Sequence, residues 1–572
     1  MKIYIMAIGL LLSYVSFAGN LPITVGTDQA CDYDNIEDAL GSGNFLDIHV
    51  TNQKTYRENL LIGDIFVNFK GGFNNCEEAA LNIPSSIKTK LSGDLDDDGT
   101  GDGTVLQIMG SGNISMSGFK VYEGYFSNKS GGISIDSYTG IFTLENSIIS
   151  DNYGTLGGGI GIHDSPDAEI FIGSSVLIIN NSAILAGGGL FCNDNTTIDM
   201  PESAIDSGIS NNSSNFNGGG VFLSNECVMT FRTGRVDVGL LDFRGIAGNK
   251  ANNNGGGIYL TSGATIYLLP TSGNTVNISE NIADFDNSGQ GNGGGAYISG
   301  SSSYLGVLNS RFVSNTAIDG GAAYVQDQGT VSVLSNGVGC AEFNKCAVIK
   351  SNTASSQGGA IYAKNDTTIN LVRALVEFNR ADVANVLFLE EAAQANIHYS
   401  VFTRNGNNGN DGFADLGLFH LHTDAHISMV QSTVVDNYAE TGVFLTDITP
   451  FSLSVFNSIV HDPSTGLAVD LSQQQEDNLS VFCSIFHEDS GLYGDDVVVD
   501  DPEFIDRIGR DFNLDHTTSI AIDACFQLSN YDHDYSGAVA GFDDPSVIGS
   551  GGTFDTGAFE SYGTDIIFEH SF

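Results

Sequence analysis

One phrase recurs seven times in this chain: an asparagine, a few small or polar residues, then a glycine pair or triplet running into an apolar stretch. The copies begin at Asn152, Asn181, Asn212, Asn249, Asn281, Asn315 and Asn352. Their last glycines are Gly159, Gly189, Gly220, Gly257, Gly295, Gly321 and Gly359, in steps of 30, 31, 37, 38, 26 and 38 residues. A repeat of this length marks a stacked architecture in which each unit buries its face on the next. Behind the glycines the text alternates as strands do, in Ile258-Tyr259-Leu260, Ala296-Tyr297-Ile298 and Ala360-Ile361-Tyr362. The expectation is an all-β chain, a solenoid of parallel strands with a short N-terminal cap and a C-terminal capping region.

A solenoid grows by adding coils, so 572 residues need not divide into several globular domains. The 41% apolar content is enough for a core and too high for disorder, despite a formal charge of −48. With 69 Asp and Glu against 21 Lys and Arg, nucleic acid and anionic membranes are poor partners. Residues 1–18 read as a signal peptide: Lys2, an apolar run to Phe17, and Ser16-Phe17-Ala18 as the cleavage site. No later segment is apolar over ~18 residues, so no transmembrane segment is expected in the mature chain. The protein is therefore expected to be secreted or held at the cell surface, and to act as a monomer.

Export gives meaning to eight cysteines. Pairing sequence neighbours is the simplest arrangement: Cys31–Cys76, Cys192–Cys227, Cys340–Cys346 and Cys483–Cys525. The alternative is single small apolar residues within the stack.

The domain plan runs 19–103 for the cap and first coils, 104–490 for the repeats, 491–562 for a distinct C-terminal region and 563–572 for a tail. A short helix at Ile36-Glu37-Asp38-Ala39-Leu40 is placed to cover the open first coil. Asn152, Asn315, Asn352, Asn379, Asn405 and Asn437 each follow a strand. Asn tolerates left-handed backbone, and stacked Asn side chains can bond one another in a ladder. The glycines let the chain turn tightly or approach its neighbour without a Cβ clash.

These phrases, with Phe312-Val313-Ser314-Asn315 and Val376-Glu377-Phe378-Asn379, resemble repeats of polymorphic outer-membrane proteins. More broadly, residues 20–490 look like right-handed parallel β-helix proteins of the pectin-lyase-like type. Ile23-Thr24-Val25-Gly26 with Cys31, then Gly71-Gly72-Phe73 with Cys76 and Leu91-Ser92-Gly93-Asp94, is similar to secreted bacterial members of that group. The last stretch, Asp501-Pro502-Glu503-Phe504 to Asp523-Ala524, then Asp555-Thr556-Gly557-Ala558-Phe559-Glu560, resembles the end of choice-of-anchor proteins. Cys525 stands where that family shows Gly, and no Arg follows Asp532-His533-Asp534-Tyr535-Ser536-Gly537. The resemblance implies terminal capping more than anchoring, and no catalytic activity.

Two segments can carry chemistry. In Asp94-Leu95-Asp96-Asp97-Asp98-Gly99, carboxylates alternate before a glycine turn, as in the first half of a Ca²⁺ loop. Asp102 can add a late ligand, but the twelfth position holds Val105 rather than Glu. The set expected to hold structural calcium is Asp94, Asp96, Asp98 and Asp102; the competing reading is a solvated acidic turn. Asp532, Asp534 and Ser536 form a weaker copy. On a strand, His420 and His422 point the same way, with Phe419 and Leu421 inward, and can share a transition metal or simply lie exposed.

Catalysis finds less support. Polygalacturonase-type Asn-Thr-Asp, Gly-His-Gly and Arg-Ile-Lys are missing. Carboxylates abound, but hydrolysis needs a pair at fixed separation. Lyase action on an anionic polysaccharide meets repulsion from the −48 charge, and Arg232, Arg235 and Arg244 are the closest grouping of arginines. Without Trp the best sugar-stacking platform is absent, though 20 Tyr remain. The expected function is a structural or adhesive surface protein that binds a surface or glycan. The alternative is a polysaccharide lyase or glycoside hydrolase of the same fold.

Overall fold

A computed structural model describes residues 21–561 apart from 205, 233–244, 272–273, 337–345, 408–411, 447–449, 463–466, 471–477, 488–494, 527–530, 532 and 542–552. The proposed signal peptide, Cys340, Arg235, Arg244, Asp532 and the tail 563–572 lie outside the described residues. The chain is a parallel β-helix. One coil shows the plan. Ile160–His163 lies in a 14-stranded sheet, and Glu169–Ile172 and Leu177–Ile179 lie in a second, 31-stranded sheet. Ser182–Ala186 forms a short third face, and the glycine triplet returns the chain to Leu190–Asn193, directly over Ile160–His163. All three faces pair in parallel with the next coil, as at Ile162↔Cys192, Ile178↔Ile209 and Ser182↔Ser213.

Alternation sends one set of side chains inward, so Ile160, Ile162, Ile170, Ile172 and Ile178 are buried and join a core running from Val25 to Phe486. β-Branched residues suit this pleated, two-sided stack. At the N-terminus a helix Ile36–Leu40, as expected from sequence, buries Ile36, Ala39 and Leu40 against the first strands. Asn35 caps it by accepting from the Asp38 amide, and the Glu58 carboxylate accepts from the Ile36 and Glu37 amides at 2.9 Å. A second short helix, Cys76–Ala80, was not expected; Asn75 caps it, and Cys76 and Ala79 are buried.

The asparagines do form a ladder, and it is longer than the repeat phrase. Asn152, Asn181, Asn212, Asn249, Asn281, Asn315, Asn352, Asn379, Asn405 and Asn437 stack in one buried column. At each step the backbone N–H and the side-chain Nδ2 both donate to the Oδ1 of the next asparagine, as Asn249 does to Asn281 at 3.0 and 3.0 Å. The same Nδ2 donates back to a carbonyl of the preceding coil, as Asn281 does to Ile246 at 2.9 Å. The expectation that Asn itself takes the left-handed conformation is corrected. The residue before each rung does so, from Asp151 to Asp436, with φ between 54° and 65°. Even Phe378 and Arg404 adopt it, at φ 58° and 56°. Such backbone costs an L-residue about 1 kcal/mol or more, and the rung's hydrogen bonds hold it in place.

Each glycine of a triplet has its own reason. Gly255 has φ +69°, a conformation in which an L side chain is strained. A Cβ on Gly256 would sit 2.5 Å from the Ile282 carbonyl carbon and 2.6 Å from the Gly294 oxygen. A Cβ on Gly257 would strike the Asn281 rung at 2.9 Å.

Three of the expected disulfides form: Cys31–Cys76, Cys192–Cys227 and Cys483–Cys525. Cys346 is also bridged, and no described cysteine is free. Cys192–Cys227 clips one coil to the next, while Cys483–Cys525 ties the C-terminal region to the last coils. That region does more than cover an end. Phe512, Tyr535 and Ala558 pack on outward-facing Val348, Leu375, Val401 and Val435, along the flank of four successive coils. Arg507 pairs with Asp436, and Arg510 with the buried Glu377 at 3.3 Å. The Ala558 amide donates to the Thr433 hydroxyl at 3.0 Å. No helix among the described residues is long and apolar enough to cross a membrane.

Candidate functional site

The acidic loop follows the strand Thr89–Ser92 at the N-terminal end of the solenoid. Among the described residues, Asp94, Asp96 and Asp102 form the one group of three or more His, Cys, Asp or Glu side chains whose ligand atoms lie within 4.8 Å of one another. Asp94 is buried, and its carboxylate accepts from the Asp98 and Gly99 amides at 3.2 and 3.0 Å and from Arg57 at 3.2 Å. Burial opposes its ionisation, but these amides and the guanidinium outweigh it and hold its carboxyl below the usual range. Asp96 is raised instead, by the charge of Asp98 first, then burial and Asp102. Asp102 also accepts from the Leu95 amide at 2.8 Å.

Asp98, the fourth expected ligand, is not part of this group. Left-handed backbone at Asp97 (φ 64°) and Gly99 (φ 88°) turns the chain, and the Asp98 carboxylate accepts from the Thr100 amide at 2.8 Å and from its hydroxyl. The observed set is therefore three carboxylates already ordered by backbone donors, with oxygen chemistry suited to a hard cation.

In the weaker Asp-x-Asp copy, the described Asp534 is internal. Asp534 is fully buried and accepts from Ser536 Oγ at 2.7 Å and from the Ala538 and Glu560 amides at 2.8 and 2.9 Å. Burial pushes its carboxyl up, and Glu560 beside it is pushed up to about 9 by burial and then by Asp555. These contacts give Asp534 a turn-forming role.

A column of rings climbs the outer side of the 14-stranded sheet: His163, Phe191, Phe222, Tyr259, Tyr297, Tyr324, Tyr362 and Phe388, spaced 4.7–5.4 Å. His420 closes it edge-on at 4.8 Å from Phe388. Phe419 and Leu421 point inward, as expected. The two imidazoles point outward, with ring centroids 6.2 Å apart and planes nearly perpendicular. They border a cleft of about 390 Å³ with Phe388, Glu390, Leu416, Leu445 and Thr446. Glu390 accepts from the Tyr362 hydroxyl and faces His422 Nδ1 at 3.7 Å. Burial first, and Glu390 next, drive the Tyr362 phenol well above its ordinary range.

Arg232, from the expected arginine grouping, pairs with Asp199 across coils. A second polar ladder escaped sequence reading: the amides of Asn254, Asn292, Asp319 and Gln357 donate to the side-chain oxygens of Asn217, Asn254, Asn292 and Asp319 at 3.0–3.3 Å. Its signal was the polar residue just before each glycine run. Comparison of the chain with family models, with curated proteins and with solved structures finds no match.

Proposed function

We propose that this chain is an exported, non-catalytic β-helix that presents a long face to a neutral surface or glycan, in the manner of adhesive repeat proteins. The observation that carries the reading is the use of the repeated side chains. Asparagines, glycines and outer rings all serve contacts between coils, supporting an unbroken sheet from Leu60 to Asp470. Fourteen strands make this face about 60 Å long at ~4.8 Å per strand. Residues 1–18 would direct export, and the disulfides suit an oxidising compartment. The likeness to polymorphic outer-membrane repeats and to choice-of-anchor ends belongs to the same reading.

The test is a glycan array with the mature chain. Saturable binding to an uncharged glycan is expected; binding confined to anionic glycans, or release of shortened products, would overturn it. Polysaccharide cleavage, the second reading, would centre on the cleft beside Glu390, His420 and His422. Glu390 is the one carboxylate among its described lining residues, whereas two-carboxylate hydrolysis requires a partner acid.

Structural calcium at Asp94, Asp96 and Asp102 is part of the proposal. A divalent cation would relieve the mutual repulsion that raises Asp96. Asp96→Asn should weaken Ca²⁺ binding about tenfold, because charge count tunes such sites. Asp98→Asn should change it less, since that carboxylate is turned to Thr100. If calorimetry of the wild-type chain gives no saturable heat at millimolar Ca²⁺, the loop is only an acidic turn.

A further inference from the structure

The asparagine ladder does not end on an asparagine. Below Asn437 the acceptor is Asp462, whose Oδ1 takes the Asn437 amide at 2.6 Å and whose Oδ2 takes Asn437 Nδ2 at 2.9 Å. Asp462 follows the strand Ile459–His461 directly and is fully buried. Ten amides lead into one carboxyl. An amide rung has both an acceptor and donors, and is neutral at any pH. As a neutral acid the carboxyl leaves the column uncharged; ionised, it still accepts from Asn437 through both oxygens but places a full charge in a fully buried column.

We propose that Asp462 is a proton-controlled end of the ladder: as a neutral acid it completes the column, and as a carboxylate it loosens the last coils and the C-terminal region docked on them. The docking contact adjoins the rung. Asp436, next to Asn437, pairs with Arg507 of the C-terminal region through Nε at 2.7 Å, and Arg507 Nη2 donates to the carbonyl of His461, next to Asp462.

The charged surroundings do not cancel the effect. Burial raises the Asp462 carboxyl to about 7; the Asn437 donors and Arg507 oppose the shift, and Asp436 adds to it. On the other side the Asp462 amide donates to His487 Nδ1 at 3.2 Å. Burial, Arg507 and His487 hold His461 low, against Asp501 and Asp436, so it supplies no compensating positive charge at neutral pH.

The sign follows from proton binding. The folded coil holds the Asp462 proton more tightly than the opened one. Stabilisation is therefore complete below the ordinary carboxylate value near 4 and is lost as pH rises to about 7.

The test is hydrogen exchange on the full mature chain, corrected for intrinsic exchange rates, over residues 433–487. Opening should be about tenfold or more easier at pH 8 than at pH 5.5, the scale set by a tenfold change per unit of pKa separation. Asp462→Asn supplies an eleventh amide and should fold. It should lower the ratio about tenfold, by the Asp462 component, and slow opening at pH 8. His487→Gln should retain the wild-type ratio. Equal protection of the wild type at both pH values, an unchanged ratio in Asp462→Asn, or loss of the ratio in His487→Gln would each overturn the proposal.

Discussion

Asn281→Leu should open the central coils at a cost of roughly 4 kcal/mol. The cost comes from lost partners, since leucine keeps asparagine's branched four-atom outline but can neither donate nor accept a hydrogen bond. Asn281 Oδ1 accepts from the amide and Nδ2 of Asn249, and its Nδ2 donates to the Ile246 carbonyl and to Asn315 Oδ1. Its own backbone N–H still reaches Asn315 after the change. The substitution thus strands the Asn249 amide in a buried column, at about 1–3 kcal/mol, and takes one donor, worth about 1 kcal/mol, from the Ile246 carbonyl, whose strand stays paired with Ile278 of the next coil. It also removes one donor to Asn315 and leaves the Asn249 side chain with its bond to Ile209. The left-handed backbone at Glu280 (φ 55°) and Gly248 (φ 65°) loses support on both sides of the gap. Because coils interact with their neighbours, exchange protection should fall between about residues 245 and 320 and persist in residues 21–100. Asn253→Ser, in a nearby loop, is the control. If Asn281→Leu matches that control to within about 0.5 kcal/mol, the usual range for a surface change, the ladder is not what holds the coils together.

Much of this architecture was legible because it is periodic. Asn ahead of a glycine run, recurring from Asn152 to Asn352, has few physical uses other than a stacked turn. Local sequence was less able to show which residue carries the positive φ. The repeat drew attention to Asn315, yet the strained residue is Ser314, and the equivalent position holds residues as unlike as Glu280, Phe378 and Arg404. The hydrogen bonds impose the conformation, so no residue type advertises it. The ring column was hidden for another reason. Phe222, Tyr259 and Tyr297 occupy outward strand positions that suggest exposure, and only coil-to-coil register brings their faces within 5 Å. In the acidic loop, alternate spacing selected Asp94, Asp96 and Asp98. The turn at Asp97 breaks the alternation and takes Asp98 out of the group, which keeps Asp102, the late ligand the spacing had also offered. The flank docking of the C-terminal region was not readable at all. Its contacts, such as Ala558 to Thr433, join residues 125 apart, with no periodicity to announce them.

Gly256→Val should be nearly as damaging as the ladder break, by the opposite mechanism. At Gly256 the added Cβ would lie within 2.6 Å of the Ile282 amide nitrogen and carbonyl carbon and the Gly294 oxygen, all backbone atoms of the next coil. Those atoms cannot swing aside as a side-chain end would. Gly257 donates to the Gly294 oxygen at 3.0 Å, and the Ile282 amide donates to the Asn249 carbonyl at 2.9 Å. Relief requires the two coils to separate, which stretches the ladder bond between Asn249 and Asn281 as well. Valine adds two methyl groups to that space, so a loss of about 3 kcal/mol is expected, the upper end for overpacking a rigid site. Gly256→Ala should show most of the same loss, because the clash begins at Cβ. That comparison separates crowding from β-branching. Exchange should rise around residues 245–300, while the Cys31–Cys76 and Cys483–Cys525 ends stay protected. Should Gly256→Val keep full protection yet lose binding to an arrayed glycan, the glycine runs are a recognition surface, and their assignment to coil packing is wrong.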